Sequence, residues 1–396
     1  MKLIKQKQNC CGCSACFNVC PKGAIAMVPD GKGFLYPRID VERCTNCGLC
    51  KKVCPLQNGT HVHDRLQKPD AYAVKHKSDD VRMNSSSGGI FTALSDFVLE
   101  QGGIVYGAAF DENFKVCHQR ATTPKERDRF RGSKYVQSNL KRCFQEVKND
   151  LRSGNNVLFS GTPCQTSGLK NYLANQDTKK LITVDLVCHG TPSPIVFHDY
   201  LSTIQLKNQS GICSVNFRYK PSGWHAQAMA IGFKNGKFYE SNAIDDTYYR
   251  LFLPNIILRD SCYQCRFANL QRPSDFTMGD FWGIEKSMPE FEDEKGVSLL
   301  LVNTEKGRRI FDDIQDTLIF RPSDISCCLQ PNLVGPSIMP PQLGSFWEDY
   351  LKHGFSYVAK KYADAGIKGT IKSEIKKILK CMGLFDTVKR FLHRTA

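Results

Sequence analysis

The sequence has no apolar run long enough to span a bilayer; segments such as 297–302 are the length of core strands. The amino terminus, MKLIKQKQN, is basic but has no apolar stretch behind it, so no secretory signal is expected and the expected location is cytoplasmic. There is no nucleic-acid recognition motif and no stripe of aromatics among the lysines, so no nucleic-acid partner is expected. No nucleophile with an adjacent base and no carboxylate pair stands out, and the catalytic residues stay unassigned. Composition is otherwise ordinary, with 41% apolar and 23% charged residues, which excludes a disordered chain. At 396 residues there is room for more than one domain.

What the sequence has in excess is cysteine, 19 in all, nine of them in the first 54 residues and eight of those nine in a repeated pattern. In a reducing compartment that number points to metal or redox chemistry, not to a disulfide framework. The eight form two copies of one phrase: Cys10, Cys13, Cys16 and Cys20 before Pro21, then Cys44, Cys47, Cys50 and Cys54 before Pro55. This is the spacing of bacterial two-cluster ferredoxins, in which the fourth cysteine of each run ligates the other run's 4Fe-4S cluster. One cluster therefore takes Cys10, Cys13, Cys16 and Cys54, and the other Cys44, Cys47, Cys50 and Cys20. Each proline keeps a helix from continuing through its cysteine. Zinc is the competing metal, but its sites pair two CxxC knuckles and need no crossed fourth ligand.

Residues 1–66 hold ten Lys or Arg against four Asp or Glu, within a formal net charge of +15. A basic module of this kind favours an acidic redox protein such as ferredoxin as partner, while a merely well-solvated surface explains the charge equally. Residues 57–68 read as a linker. Beyond it, 71–74 reads as a strand, and Ser87, Gly88 and Gly89 open a helix carrying Thr92, ended by Gly102 and Gly103. Residues 104–110 and 115–120 bracket a hairpin turn at 111–113. Two strand-then-helix units follow. Strand 157–159 leads to Thr162 as cap and Pro163 as first helical residue, and strand 181–187 leads to a helix over 194–207. That alternation argues for an α/β layer. Residues 213–244 read as antiparallel strands turning at Asn235–Gly236, 246–259 as a helix, and 276–278, 297–303 and 306–314 as strand, strand and helix.

Cys164 and Cys188 each fall just past the carboxyl end of one of these parallel strands, the edge at which open α/β sheets bind ligands. With Cys262 and Cys265, read as the end of a helix, they make a third 4Fe-4S site plausible, although zinc fits four such thiols nearly as well. The other seven, Cys11, Cys117, Cys143, Cys213, Cys327, Cys328 and Cys381, read as small buried apolar residues.

SSSGGIFTAL (85–94), RGSKYVQS (131–138), GTPCQ (161–165), DLVCHGTPSP (185–194), CYQCRF (262–267) and DFTMGDFWG (275–283) resemble, in order, the family of coenzyme F420 hydrogenase/dehydrogenase beta subunits. The likeness covers roughly residues 70–330. It implies an α/β fold with FAD beside a 4Fe-4S cluster, and it places that cluster on Cys164, Cys188, Cys262 and Cys265. The family includes deazaflavin-oxidising electron-input proteins, ferredoxin-dependent reductases and proteins of polysaccharide biosynthesis. Given the resemblance, Ser87, Gly88, Gly89 and Thr92 become candidates for the flavin pyrophosphate. Lys134 is a candidate for added charge and Tyr135 for an aromatic wall. Asp280 is a candidate to order the cluster loop or the flavin, and His189 to carry protons.

The expected architecture is thus a two-cluster ferredoxin domain (1–66), an α/β flavin and iron-sulfur domain (67–345) and a helical tail (346–396). The expected function is a flavin and iron-sulfur oxidoreductase. It would relay electrons between a hydride donor or acceptor at FAD, such as coenzyme F420, and one-electron carriers. Two alternatives stand beside it: a ferredoxin-dependent reductase of an organic substrate such as a polysaccharide precursor, and a non-enzymatic electron-transfer subunit. Residues 367–396 carry eight Lys or Arg against two acids, in two short amphipathic helical patterns. Such a tail is a candidate for peripheral contact with the inner face of a membrane, or for docking on its own domain.

Overall fold

The computed structural model describes residues 3–60, 62 and 64–363. Both amphipathic patterns of the tail, and Cys381, lie outside the described residues. Among the described residues no helix is long and apolar enough to cross a membrane.

At the amino end, β1 (Ile25–Pro29) pairs antiparallel with β2 (Leu35–Ile39) between the two cysteine runs. The main body is an eight-stranded mixed sheet. Its strands are β3 (Arg65–His76), β4 (Ile104–Phe110), β5 (Val116–Ala121), β6 (Val157–Gly161) and β7 (Leu181–Leu186), joined later in the chain by three more. After β8 (Ile212–Tyr219), β9 (Ala228–Phe233) and β10 (Phe238–Asn242), which form a separate antiparallel sheet, come β11 (Phe276–Asp280), β12 (Ser298–Thr304) and β13 (Leu318–Ser323). The order across the large sheet is β13-β3-β12-β11-β7-β6-β4-β5, and β4, β6, β7 and β11 run parallel. This is the α/β architecture expected.

Alternation along the central strands explains the layering. Val157 and Phe159 of β6 face one way, with Tyr106 and Leu181, against the helices α2 (Cys143–Arg152) and α3 (Pro163–Tyr172). Leu158, Val105 and Val184 face the other way, against α1 (Ile90–Glu100) and a later helix, Glu305–Ile314. A strand buried on both faces reads as a continuous apolar run, and 157–159 reads so. The small sheet closes a second core with α4 (Pro194–Asn208). Phe346, Trp347, Tyr350, Phe355 and Val358, from the stretch assigned to the tail, are buried in that core.

Three local expectations change. The stretch 57–68 is not all linker: β3 begins at Arg65, pairing with Thr304, and only Leu66 of its first residues is buried, so the apolar signal there is faint. The segment 246–259 is helical only over Thr247–Phe252. Its chain then reverses at Asn255, in the left-handed region at φ 70°. Cys262 lies in a 3-10 turn, Asp260–Gln264, and Cys265 caps it, rather than ending a long helix.

Candidate redox site

Topology delivers the cysteine quartet. Gly161 at the end of β6 and Asp185 near the end of β7 are register partners, so the loops that follow those strands emerge side by side with Cys164 and Cys188. Thr162 caps α3 through a capping box with Gln165, and its hydroxyl lies 3.2 Å from the Cys164 sulfur. The Cys262 sulfur accepts the Thr191 amide at 3.3 Å. Cys164, Cys188, Cys262 and Cys265 line one small cavity together with Cys11. Burial, then the charges of Cys262, Cys164 and Cys265, push the Cys188 thiol well above its ordinary range, and burial, then Cys164, raises Cys265. Binding of a metal centre would displace the protons that burial otherwise holds on these thiols.

In the ferredoxin module each run's fourth cysteine lies near the other run. Cys20 of the first run joins Cys44, Cys47 and Cys50 around one cavity, and the Cys20 sulfur accepts the Ala24 amide at 3.2 Å. Cys54 of the second run lies with the first: burial, then Cys10 and Cys54, raise the Cys16 thiol. Among the described residues no three Cys, His, Asp or Glu side chains converge as tightly as a single metal ion requires. The thiols of the quartet and of the Cys20, Cys44, Cys47 and Cys50 set instead line small cavities.

The module is seated tightly on the main body. Gly168 of α3 faces Cys13 so closely that a Cβ there would stand 2.9 Å from the Cys13 sulfur. Asn18 and Gln145 exchange hydrogen bonds with opposing backbone at 3.1 and 2.7 Å, Lys32 pairs with Asp260 at 2.9 Å, and Arg266 donates to the Leu56 carbonyl at 2.9 Å.

Beside the quartet opens a cavity of about 800 Å³, within the range of cofactor sites. Cys164, Cys188, His189, Gly190 and Thr191 belong to the walls of both cavities. On the far side lie Ser85, Ser86, Ser87, Gly89 and the first residues of α1, whose leading amides have no intrahelical acceptor. Ser87, Gly89, Lys134 and Tyr135 therefore line the cavity, while Gly88 and Thr92 do not. Gly88 packs against β3 and β12, where a Cβ would stand 2.1 Å from the Val74 carbonyl oxygen, and its amide is taken by Ser298 at 2.9 Å. Thr92 is buried behind the wall, its carbonyl accepting from Arg127 at 3.2 Å. The Lys134 ammonium is turned onto the carbonyls of Arg129 and Arg131 at 2.8 and 2.7 Å, and burial lowers its pKa to about 7. His189 bonds Asn255 at 2.6 Å and borders the quartet.

Sequence reasoning missed several residues here. Arg218 of β8 crosses from the small sheet to grip Asp280 through two contacts, at 2.6 and 3.1 Å. Trp224 donates to the same carboxylate at 2.8 Å. Burial opposes the Arg218 charge, but Tyr135 and Asp280 outweigh it and raise its pKa. His118, also on the wall, is held by Ser138 at 2.7 Å and the Ser160 carbonyl at 3.0 Å, and burial drives its pKa down to about 4. Cys11, read as an inert apolar residue, meets Cys13 on one side and Cys164 on the other. Its only sequence signal is adjacency to Cys10. Of the remaining cysteines, Cys117, Cys143 and Cys328 are buried as expected, whereas Cys213 and Cys327 are exposed.

Two cysteine runs of ferredoxin type, docked against an α/β body with a further thiol quartet and a large cavity, define an iron-sulfur oxidoreductase. Residues 154–326 match the model of the carboxyl-terminal part of the coenzyme F420 hydrogenase/dehydrogenase beta subunit, 71–144 that of its amino-terminal part, and 9–58 a 4Fe-4S dicluster domain. The chain belongs to the family of coenzyme F420 hydrogenase/dehydrogenase beta subunits and carries a 4Fe-4S dicluster domain at its amino end. It is 22% identical over 326 residues to the F subunit of F(420)H(2) dehydrogenase from Methanosarcina mazei, covering 80% of this chain and 85% of that protein. An uncharacterized ferredoxin of Methanocaldococcus jannaschii is 40% identical over 55 residues, 14% of this chain and 70% of that protein. The coenzyme F420-dependent sulfite reductase of the same organism is 24% identical over 221 residues, 53% of this chain and 31% of that protein.

Proposed function

We propose that the large cavity holds FAD and that Cys164, Cys188, Cys262 and Cys265 hold a third 4Fe-4S cluster beside it. Cys10, Cys13, Cys16 and Cys54 hold the inner ferredoxin cluster, and Cys44, Cys47, Cys50 and Cys20 the outer one. On this reading the protein relays electrons between a hydride donor or acceptor, with coenzyme F420 the first candidate, and a one-electron carrier such as ferredoxin. A bound flavin supplies the conversion between two-electron hydride chemistry and the single electrons that iron-sulfur clusters carry.

The observation that carries the reading is continuity. The quartet shares walls with the large cavity on one side, and on the other Cys11 links Cys164 to Cys13 of the ferredoxin module. The outer set ends at the surface, where Cys47 is exposed and Lys51 and Lys52 stand exposed around it. That basic rim fits an acidic partner. Within the cavity, the residues fit a dinucleotide. The start of α1 offers amides to a pyrophosphate, the guanidinium groups of Arg131 and Arg218 lie on the wall, the latter paired with Asp280, and Phe91, Tyr135, Phe252 and Trp282 supply flat apolar walls. His118, kept neutral by burial, and His189, bonded to Asn255, hold the wall next to the quartet without adding charge.

The test is anaerobic purification with iron, sulfide and flavin quantitation, followed by titration with reduced coenzyme F420, NADH and reduced ferredoxin. Flavin with three clusters, bleached by reduced coenzyme F420, supports the proposal. Bleaching by reduced ferredoxin alone removes the deazaflavin from the reaction and favours a ferredoxin-dependent reductase. A colourless preparation holding zinc overturns the iron-sulfur assignment.

A further inference from the structure

Arg259 lies between the ferredoxin module and the quartet, three positions before Cys262, and is completely buried. Its Nε donates to the Cys10 carbonyl at 2.8 Å, and one terminal nitrogen to Gln137 Oε1 at 3.0 Å. The other reaches the Leu35 carbonyl at 3.0 Å and the Cys10 sulfur at 3.5 Å. The rings of Tyr36 and Phe34 flank the guanidinium, with centroids at 4.1 and 5.4 Å. Among the described residues no carboxylate pairs with it, although other buried arginines of this chain, Arg127, Arg218 and Arg272, each have one. A buried cation without a counter-ion is costly, so its compensation must come from elsewhere. The groups that support its charge against burial are Cys10, then Tyr36, Cys11 and Cys262: mostly sulfur, from both sides of the junction.

We infer that Arg259 is a positioning residue whose fixed charge and N–H···S contact raise the reduction potentials of the inner ferredoxin cluster and of the quartet's cluster. The outer cluster, whose walls Arg259 does not reach, keeps its own potential. The inference rests on the cluster assignment proposed above. Reduction of a cluster by one electron adds one negative charge. A nearby cation in a low-dielectric setting stabilises that charge, and hydrogen bonds to cluster sulfur act in the same direction. The effect is to make the buried centres better electron acceptors than they would otherwise be, so that charge is drawn through the junction.

The test uses full-length holoprotein, its clusters assigned by single-ligand variants and titrated under EPR observation. In Arg259→Gln the inner cluster's reduction equilibrium should move about tenfold toward the oxidised form, a fall of about 59 mV for one electron. The quartet's cluster should fall with it and the outer cluster should hold still, while Arg259→Lys should recover most of the loss. Unchanged potentials in Arg259→Gln with full iron overturn the proposal and leave the cluster assignment standing. A wild-type protein without three clusters overturns the assignment instead. Should Arg259→Gln fail to fold, wild-type protein labelled with 15N-arginine carries the test. Nitrogen hyperfine coupling at the reduced inner cluster supports the contact, and its absence overturns it.

Discussion

Replacing Arg272 with methionine tests whether one buried ion pair assembles the quartet. Arg272 and Asp185 have side chains 1% and 0% exposed, and two guanidinium nitrogens meet Asp185 Oδ1 at 2.8 and 3.2 Å. The same guanidinium donates to the Leu186 carbonyl at 2.6 Å, two residues before Cys188, and to the Phe267 carbonyl at 2.7 Å, two residues after Cys265. It therefore ties the end of β7 to the loop of the second thiol pair. Methionine fills much of the volume but leaves Asp185 with no donor, since its Oδ2 has none already. Breaking a buried pair from one side costs about 3–5 kcal/mol. Against a total stability of about 5–15 kcal/mol, that is a large fraction. Anaerobic chemical denaturation should show the loss, and the protein should keep the ferredoxin clusters while losing about a third of its iron. The double variant Asp185→Leu with Arg272→Met removes both charges and should regain most of the stability. It should not regain the iron, because the Leu186 and Phe267 carbonyls still lack their donor. If Arg272→Met stays within about 1 kcal/mol of wild type with full iron, the pair does not organise the quartet.

Two further outcomes follow from the geometry. Cys20→Ser should remove the EPR signal of the outer cluster and Cys54→Ser that of the inner one; the reverse pairing would refute crossed ligation. His118, with its pKa at about 4, resists protonation when folded but takes a proton near pH 6.5 when unfolded. Acidification from about pH 6.5 to 4 should therefore destabilise the fold by about 3 kcal/mol, an effect fully absent above that window. His118→Gln should flatten this part of the pH profile, measured by denaturation at each pH, and an unchanged slope would show that the histidine is not the group responsible.

What could be read from the sequence follows from the range of each signal. The ferredoxin ligands are set by local spacing, and β6 and β7 announce themselves as short apolar runs ending in capped helices. The gathering of Cys164, Cys188, Cys262 and Cys265 around one cavity was also legible in part, because loops at the carboxyl edge of a parallel sheet emerge together, and register brings Gly161 beside Asp185. The first residues of β3 were not legible, since one buried Leu66 among polar neighbours gives no alternation to detect. Nor was the reversal at Asn255, where an apolar run is buried on both sides of a turn and imitates a helix.

The junction lies further still beyond sequence reasoning. Cys10 and Arg259 are 249 positions apart, and Arg218 and Asp280 are 62 apart. A single arginine carries no periodicity, so nothing marks it as buried until two modules close around it. The same closure turns Cys11 from a spare thiol into the contact between Cys13 and Cys164. Gly168 shows why that closure is specific: any side chain there would press on Cys13 and hold the two cysteine sets apart. Electron tunnelling is steeply sensitive to separation, so on the proposed relay the packing of Gly168 against Cys13 sets how closely the two cysteine sets approach.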